Sequence, residues 1–249
     1  MSLPVFLAEG EPLEPGALVA LTGAEGRHAA GAKRLRVGEA LELVDGRGRR
    51  ARCRVEALDG KQGLTALVED AVDEPAPSPR VTLVQALPKH ERSELAVDLA
   101  TQAGVGEIVP WQAERCVARW SGPKAKKGRE KWLATAREAA KQSRRSWLPG
   151  VAEPLSTGEL QDRVAEAAGR GAAVFLLHED ADAPLTRAAG EPRGEAWFLV
   201  GPEGGIGEDE ASGLIEADAR PVRLGREVVR TAAAGVVAIS ALRALWDAW

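Results

Sequence analysis

Residues 199–213 read LVGPEGGIGEDEASG, and this stretch holds a strand end, a bend and a helix start. The apolar run at residues 198–200 predicts a buried strand. The glycines between 201 and 207 then allow positive φ and a close approach of the backbone to a ligand. The acids at 208–210 predict a first helical turn, because the helix dipole favours negative charge there.

The bend between this strand and this helix has the composition of a ligand-binding loop. Its glycines do not follow the spacing G-x-G-x-x-G, and no Lys-Ser or Lys-Thr pair comes after them. The pattern therefore excludes the dinucleotide fingerprint and the P-loop. The acids at 208–210 also disfavour a phosphate, so the bend favours a neutral or cationic ligand. A strand-to-helix turn that uses glycine only for its geometry is the alternative.

Strands alternate with helices from residue 81 onward. Predicted strands cover residues 81–87, 107–110, 173–178 and 197–200, and predicted helices cover 91–103 and 129–145. This alternation is typical of an α/β fold whose parallel sheet is covered on both faces. Ligands bind such sheets beyond the carboxyl ends of the strands. The loops that follow Leu176, Val200 and Leu224 are therefore predicted to form one pocket.

The first third of the chain has a different pattern. Residues 40–44, 51–57 and 63–68 show short, partly alternating apolar runs separated by glycine-containing turns, which predicts a small antiparallel β-barrel. Residues 73–80, DEPAPSPR, carry three prolines and predict a linker. We therefore predict two domains, residues 1–72 and residues 81–249.

Four segments of the chain resemble one known family. GPEGGIGEDE at 201–210 and LGREVVRTAAA at 224–234 resemble the SPOUT superfamily and, within it, the RsmE family of small-subunit ribosomal RNA methyltransferases. Residues 85–117 and 138–151 are similar to that family too, and the similarity covers nearly the whole chain. It implies an α/β SPOUT domain with a parallel sheet and a carboxyl-terminal trefoil knot, preceded by a PUA-like β-barrel. It also implies a homodimer and the cofactor S-adenosyl-L-methionine.

The resemblance also implies which residues surround the cofactor. They are carried by the three strand-end loops and the start of the last helix: Leu177, His178, Gly201, Pro202, Glu203, Gly204, Gly205, Leu224, Gly225, Arg230, Thr231, Ala232 and Ala233. An ordinary strand-end histidine is the alternative for His178.

The implied reaction methylates N3 of a uracil in 16S ribosomal RNA. Loss of the N3 proton spreads negative charge over the flanking carbonyl oxygens, which an arginine would stabilise. Arg230 matches the arginine of the family's R-T-E-T-A pattern and is the predicted catalytic residue; a salt bridge or a helix-entry role is the alternative. Ala232 and Ala233 stand where the family has Glu and Thr, so the proton acceptor is unassigned. Glu203 is the remaining candidate, for proton removal or for orienting its loop.

Basic residues gather near the amino terminus. Between residues 27 and 54 nine lysines and arginines face only three acids, a patch that suits contacts with RNA phosphates. A solvated strand face is the alternative. The candidates are Arg27, Lys33, Arg34, Arg36, Arg49 and Arg50. A second basic stretch, residues 119–131, is predicted to be a mobile loop that closes on bound RNA.

Composition narrows the remaining possibilities. The 249 residues are 45% hydrophobic and 28% charged with a net charge of −4, and no run resembles a signal peptide or a membrane span, so we expect a cytoplasmic protein without membrane contact. Cys53 and Cys116 lack metal-ligand spacing, which predicts neither a metal site nor a disulfide. The apolar segment 232–249 predicts a helix covered by a second subunit, with Trp246 and Trp249 as anchors, or else complete burial within one subunit.

Two other functions share the sequence pattern. One is a catalytically silent RNA-binding or ribosome-assembly protein of the same fold, which the alanines at 232 and 233 favour. The other is a SPOUT methyltransferase that acts on another RNA position. The expected partner in every case is 16S ribosomal RNA or the small ribosomal subunit.

Overall fold

A computed structural model describes residues 3–89 and 92–249 of the chain. It divides into two compact units. The amino-terminal unit runs through Ala76 and includes Ala140–Leu148, and the carboxyl-terminal unit consists of Pro77–Ala139 and Pro149–Trp249. The sequence pattern held no signal that residues 140–148 pack with the first unit.

The amino-terminal unit is built on a five-stranded sheet with the order β1-β3-β4-β5-β2. The strands are β1 (Val5–Leu7), β2 (Leu18–Leu21), β3 (Ala40–Val44), β4 (Arg49–Asp59) and β5 (Gly63–Asp73). Ala51, Cys53 and Val55 point into the core while Arg52 and Arg54 point outward, the alternation expected of a sheet with one buried face.

Two features of this unit differ from the sequence prediction. The short strands β1 and β2 were not predicted, and β1 pairs with β3 in parallel, so the prediction of an all-antiparallel barrel is wrong for this pair. A three-residue strand carries too few positions to show alternation. Between β2 and β3 a short helix, α1 (Gly23–Gly26), continues into a π-helical turn at Arg27–Ala32.

The carboxyl-terminal unit contains a six-stranded sheet with the order β11-β9-β10-β6-β7-β8, in which every pairing is parallel. The strands are β6 (Arg80–Ala86), β7 (Glu107–Trp111), β8 (Gly150–Val151), β9 (Ala173–Leu177), β10 (Glu195–Val200) and β11 (Arg220–Val222). Because all six run the same way, their carboxyl ends lie at one edge. The predicted parallel α/β sheet is confirmed.

Six helices accompany this sheet: α2 (Arg92–Gln102), α3 (Pro123–Gln142), α4 (Thr157–Gly169), α5 (Leu185–Ala188), α6 (Glu208–Glu216) and α7 (Thr231–Leu245). The helix predicted at 91–103 agrees with α2, although Glu91 lies outside the described residues. Helix α4 was not predicted, although its amino terminus carries a capping box formed by Ser156 and Glu159.

The helix α3 corrects the prediction of a mobile basic loop at 119–131. It begins at Pro123, so Lys124, Lys126, Lys127 and Arg129 lie on regular helix. Proline is suited to a first helical position, and lysine is a good helix former. Gly128 belongs to the helix because the Trp120 indole packs directly on it: a Cβ there would lie 2.5 Å from the ring.

The last helix, α7, packs against α2 and the sheet. Gly235 allows the close approach, since a Cβ at this position would lie 2.8 Å from Leu83 Cδ2. Trp246 is 6% exposed and donates its indole N–H to the Gly190 carbonyl, so the prediction of Trp246 as an intersubunit anchor is wrong. Trp249 is 74% exposed. Within the described ranges, no helix combines the length and the apolar character that crossing a bilayer requires.

Candidate functional site

The carboxyl ends of β9, β10 and β11 open onto a cavity of about 680 Å³, which we call the first cavity. Its walls are residues 177–180, 200–206 and 222–231, joined by Arg92, Arg115, Glu208 and Ala234. This volume lies within the range typical of small-molecule sites. The loops predicted to meet at this edge of the sheet therefore do meet.

Most of the sequence-predicted site residues line the first cavity. They are Leu177, His178, Gly201, Pro202, Glu203, Gly204, Gly205, Leu224, Gly225, Arg230 and Thr231. Ala232 and Ala233 lie in the first turn of α7 but not in the cavity wall. The side chain of Ala232 is buried instead, at 5% exposure.

The glycine bend after β10 is a tight turn whose geometry requires glycine. Gly205 has a φ of +76°, and its N–H donates to the Pro202 carbonyl at 2.9 Å. A Cβ on Gly201 would lie 2.5 Å from Ile206 Cγ1, so only glycine lets the chain fold back on itself here.

The carboxylate of Glu210 fixes this bend from behind. It is 8% exposed and accepts hydrogen bonds from the Glu114 N–H at 2.9 Å, from the Gly207 N–H at 3.3 Å and from the Thr157 hydroxyl. A buried carboxylate is stable only when hydrogen-bonded in this way. The sequence predicted Glu210 as a first-turn acid and gave no indication that it ties together the loops after β7 and β10.

The segment 224–229 forms the opposite wall. Across residues 3–89 and 92–249, none of its backbone groups makes a backbone hydrogen bond. Main-chain groups are obligatory hydrogen-bonding groups, so this wall offers a row of donors and acceptors to a ligand.

Charges on the cavity wall are balanced. The acids are Glu179, Asp180, Glu203, Glu208 and Glu227, and the arginines are Arg92, Arg115, Arg223, Arg226 and Arg230. Arg223 is held by the Ala181 and Asp182 carbonyls. A wall with as many acids as arginines fits a zwitterion better than a polyphosphate.

The two candidate catalytic residues lie on different walls. Arg230 is exposed at the N-cap of α7, and its carbonyl accepts the N–H groups of Ala233 and Ala234. Among the described residues, no carboxylate forms an ion pair with its side chain. Glu203 is exposed and accepts the Lys89 N–H at 3.2 Å, which ties the glycine bend to the loop after β6.

His178 stands at the end of β9. Its ring Nδ1 accepts the Asp180 backbone N–H at 3.2 Å, and the backbone N–H of His178 donates to the Val222 carbonyl at 2.9 Å. Both hydrogen bonds stabilise the turn at the end of β9. This is the role of an ordinary strand-end histidine, the alternative interpretation of His178.

The candidate RNA contacts of the amino-terminal unit fall into two groups. Arg27, Lys33, Arg34 and Arg36 are exposed. The guanidinium of Arg49 instead pairs with Glu14 and with Asp73, the latter at 2.9 Å. Arg50 pairs with Glu42 at 2.8 Å and with Glu74, and also donates to the Arg144 carbonyl at 2.7 Å. These two arginines serve the fold of their own unit.

Both cysteines are buried free thiols. Burial raises the pKa of Cys53 to about 12 and also raises the pKa of Cys116. In the described ranges, no cluster of three or more His, Cys, Asp or Glu side chains could hold a metal ion.

Sequence reasoning missed several residues of the cavity, notably Arg92, Arg115 and Arg226. Arg115 could have been found, because it follows β7 and the loop after a parallel strand belongs to the same edge as the other three. Arg92 gave no such signal, since its place at the cavity depends on how α2 packs.

Two family models match the chain. A model of the RNA methyltransferase domain matches residues 74–243, and a model of the RNA methyltransferase PUA domain matches residues 21–69. Fold and cavity thus define an RNA methyltransferase-type protein with an amino-terminal PUA domain. This confirms the predicted fold class, apart from the knot, which stays a prediction.

Curated relatives narrow the class to one family. The chain is 48% identical over 236 residues to Ribosomal RNA small subunit methyltransferase E of Mycobacterium bovis and of Mycobacterium tuberculosis, covering 95% of this chain and 90% of each relative. The protein of the same name from Bacillus subtilis is 29% identical over 93% of this chain and 92% of its own length. The chain belongs to the ribosomal RNA small subunit methyltransferase E family, as its motifs predicted.

Two solved structures are similar to this chain over nearly its whole length. Ribosomal RNA small subunit methyltransferase E from Neisseria gonorrhoeae, bound to S-adenosyl methionine, superposes with a TM-score of 0.87 at 26% identity and 98% coverage of both chains. A protein from Legionella pneumophila in complex with the same cofactor gives a TM-score of 0.84 at 25% identity and the same coverage.

Proposed function

We propose that this protein methylates N3 of a uracil in 16S ribosomal RNA, with S-adenosyl-L-methionine as methyl donor. One observation carries the proposal: both family motifs, 201–210 and 224–234, contribute walls to a single cavity at the carboxyl edge of the sheet. Arg230 lies on the same cavity wall, where the target base would enter.

The residues of the first cavity fit the cofactor. A sulfonium, an ammonium and a carboxylate on one small molecule match the mixed charges of the wall, and the free backbone groups of 224–229 suit an adenine edge. Leu177, Gly201 and Leu224 would contribute the remaining contacts. Bound there, the cofactor supplies an electrophilic methyl group. Ala232 and Ala233 are left out of the proposed contacts because they lie outside the wall.

Arg230 has the charge that the reaction needs. Methyl transfer to N3 requires that the nitrogen lose its proton, and the resulting negative charge spreads over the two uracil carbonyl oxygens. A fixed guanidinium beside these oxygens lowers the energy of that charge. Arg230 is free to act because no described carboxylate neutralises it.

Glu203 is the proposed proton acceptor. Its carboxylate lies on the first cavity, and the hydrogen bond from the Lys89 N–H fixes one of its oxygens, leaving the other to take the N3 proton directly or through water. The same bond gives Glu203 a second role in orienting the bend.

The amino-terminal unit is proposed to position the RNA. Arg27, Lys33, Arg34 and Arg36 are exposed and suited to phosphate contacts, whereas Arg49 and Arg50 are committed to carboxylates. In this proposal, residues 1–72 form the domain that holds RNA, residues 73–80 form the linker, and residues 81–249 form the domain that transfers the methyl group.

We also propose a homodimer, a trefoil-knotted carboxyl terminus and a cytoplasmic enzyme. Val237 and Leu245 on α7 are 41% and 44% exposed, and Trp249 beyond its end is 74% exposed, which favours a covering subunit. Analytical ultracentrifugation of the wild type and of Trp249→Asp tests the dimer.

The family resemblance supports the knot, which a crystallographic trace of residues 200–235 tests. The rRNA substrate supports the cytoplasm, where ribosomes are assembled, and fractionation tests it.

The test of the proposed function uses methyl-labelled S-adenosylmethionine with two substrates, naked 16S rRNA and isolated small subunits from a strain lacking the protein. We expect label on one uracil, with mass mapping placing it on N3. Label on a ribose or on another base would indicate a different SPOUT activity. Cofactor binding by calorimetry without label on either substrate would favour the silent RNA-binding protein.

A further inference from the structure

A second cavity, of about 440 Å³, lies in the carboxyl-terminal unit where the loop after β7 meets α3. Its floor is apolar and includes Val117, Ala118 and the indole of Trp120. Its rim carries the cations Lys89, Arg119, Lys124, Lys127 and Lys131. None of the described residues that line it is acidic.

Most of the positive charge on this rim is uncompensated. Lys131 pairs with Glu94 at 3.0 Å. Within the described ranges, Lys89, Lys124 and Lys127 form no ion pair with a carboxylate. Arg119 donates to the Ala113 and Glu114 carbonyls, which fix the guanidinium without reducing its charge. The rim therefore presents a concentrated positive field to solvent.

The floor of the cavity is rigid because Trp120 is fixed on three sides. Its backbone N–H donates to the Gln112 amide oxygen at 2.8 Å, and its ring lies on Gly128 and meets Trp132 edge-on at 5.1 Å. Trp132 is fully buried and donates to Ser93 at 2.6 Å. Trp120 itself stays partly exposed, so a fixed aromatic surface lies beside free lysines.

The two cavities are neighbours. The Lys89 N–H donates to Glu203 at 3.2 Å, and Lys89 lines the second cavity while Glu203 lines the first. Arg115 on the first cavity and Val117 on the second belong to the same loop. The two cavities therefore adjoin at Lys89 and Glu203.

We propose that the second cavity holds a nucleotide of the RNA strand adjacent to the target, with its base against Trp120 and its phosphates at Lys124 and Lys127. The inference rests on the proposed RNA substrate. A flat apolar floor with a cationic rim suits a nucleotide, because stacking on an aromatic ring tolerates any base and the lysines bind phosphate. The site holds the strand while the target base occupies the first cavity.

The lysine test compares Lys124→Ala and Lys127→Ala, singly and together, with Lys126→Ala, a single-charge control because Lys126 is exposed on the same helix and lies outside the cavity. Affinity for a fluorescent fragment of the methylated rRNA region is measured at several salt concentrations. The double variant should bind on the order of tenfold more weakly. Its log–log salt slope should be shallower by about 1.4, since each single-strand phosphate contact contributes about 0.7. The KM for RNA should rise at unchanged kcat and unchanged affinity for S-adenosylmethionine.

The stacking test uses Trp120→Leu, which removes the aromatic face. It should weaken binding by about 5- to 150-fold, since stacking contributes about 1 to 3 kcal/mol per base, and should leave the salt slope unchanged. Trp120→Phe should restore most of the affinity. If Trp120→Leu unfolds, the lysine comparison decides the matter alone.

Equal affinity and equal salt slope for the Lys124/Lys127 double variant and Lys126→Ala would overturn the inference. So would a loss seen with intact small subunits but not with naked rRNA, since that result assigns the cavity to an acidic protein surface. Methylation by the wild type is measured in parallel. If the lysines govern RNA affinity while the wild type transfers no methyl group, the proposed function fails and the nucleotide site stands.

Discussion

The arginines of β4 and the lysines of α3 are the same kind of residue in sequence, yet the structure uses them differently. Arg49 and Arg50 are enclosed by carboxylates, and their side chains are 23% and 18% exposed. Lys124 and Lys127 are exposed beside a cavity whose described lining contains no acid. The first pair stabilises a sheet, and the second is available to a polyanion.

The difference arises from how each element places its neighbours. Cross-strand register sets Arg49 directly opposite Asp73, so β-pairing brings opposite charges together. On α3, the i, i+3, i+7 spacing of Lys124, Lys127 and Lys131 puts like charges on one face. The number of basic residues in a segment therefore says little about RNA binding until the partners of each are known.

The largest expected effect concerns a free cation of the first cavity. Arg230→Ala should lower kcat by about 100- to 1000-fold, because the developing negative charge loses its stabilising donor. Single-turnover methylation measures the rate, and calorimetry should show cofactor affinity within a factor of a few of wild type. Arg220→Ala, on exposed β11 outside the cavity, is the control. A rate within tenfold of wild type would contradict the catalytic role.

The next largest effect concerns the stability of the protein and Arg50, whose guanidinium is ion-paired with Glu42 and Glu74. Arg50→Ala should lower the free energy of unfolding by about 1 to 2 kcal/mol, because Glu42 and Glu74 lose a partly buried partner. Urea denaturation measures this. Arg52→Ala, whose side chain is 63% exposed, should cost less than about 0.5 kcal/mol.

RNA affinity of the same variants sharpens the comparison. Arg50→Ala should bind RNA as tightly as Arg52→Ala does. If Arg50→Ala instead weakened RNA binding without loss of stability, the distinction between ion-paired arginines that stabilise the fold and unpaired cations that bind RNA would be wrong.

A smaller effect follows from the carboxylate beside Arg50. Burial alone would raise the pKa of Glu74, but hydrogen bonds from Arg50 and Ser146 outweigh it and hold the pKa below 4.5, the value of the unfolded chain. The ionised carboxylate therefore stabilises the fold above about pH 4.5, and this contribution disappears as the pH falls through the lower native pKa. Unfolding free energies of Glu74→Gln between pH 6 and 3 should fall less steeply than those of wild type, with a difference below about 1 kcal/mol.

The smallest expected effect is the reaction of the two cysteine thiols in the native protein, where we expect no reaction. One buried thiol lies in each unit, and burial raises the pKa of both, so neither should react with a disulfide reagent at pH 8. Both should react after unfolding in urea. With Cys53→Ser and Cys116→Ser, the onset of reaction in intermediate urea reports the opening of each unit separately. A fast native reaction of either thiol would show that its unit opens locally.

The sequence predicted the parallel sheet well because buried strands and amphipathic helices have different periods. It also predicted the walls of the first cavity, since the bends after β10 and β11 carry their own glycine signatures and parallel strands end at one edge. It did not predict the start of α3, where lysines and a glycine resemble a loop until Trp120 is seen to pack on Gly128.

By itself, the amino-acid sequence determined the fold class, the family and the loops that surround the first cavity, because local periodicity and contiguous motifs encode these. Only the tertiary structure decided which cations are free, how Glu210 fixes the bend from a distance, and that Trp120 and the α3 lysines share a cavity. Each of these depends on contacts between segments far apart in the chain, and such contacts leave no local pattern.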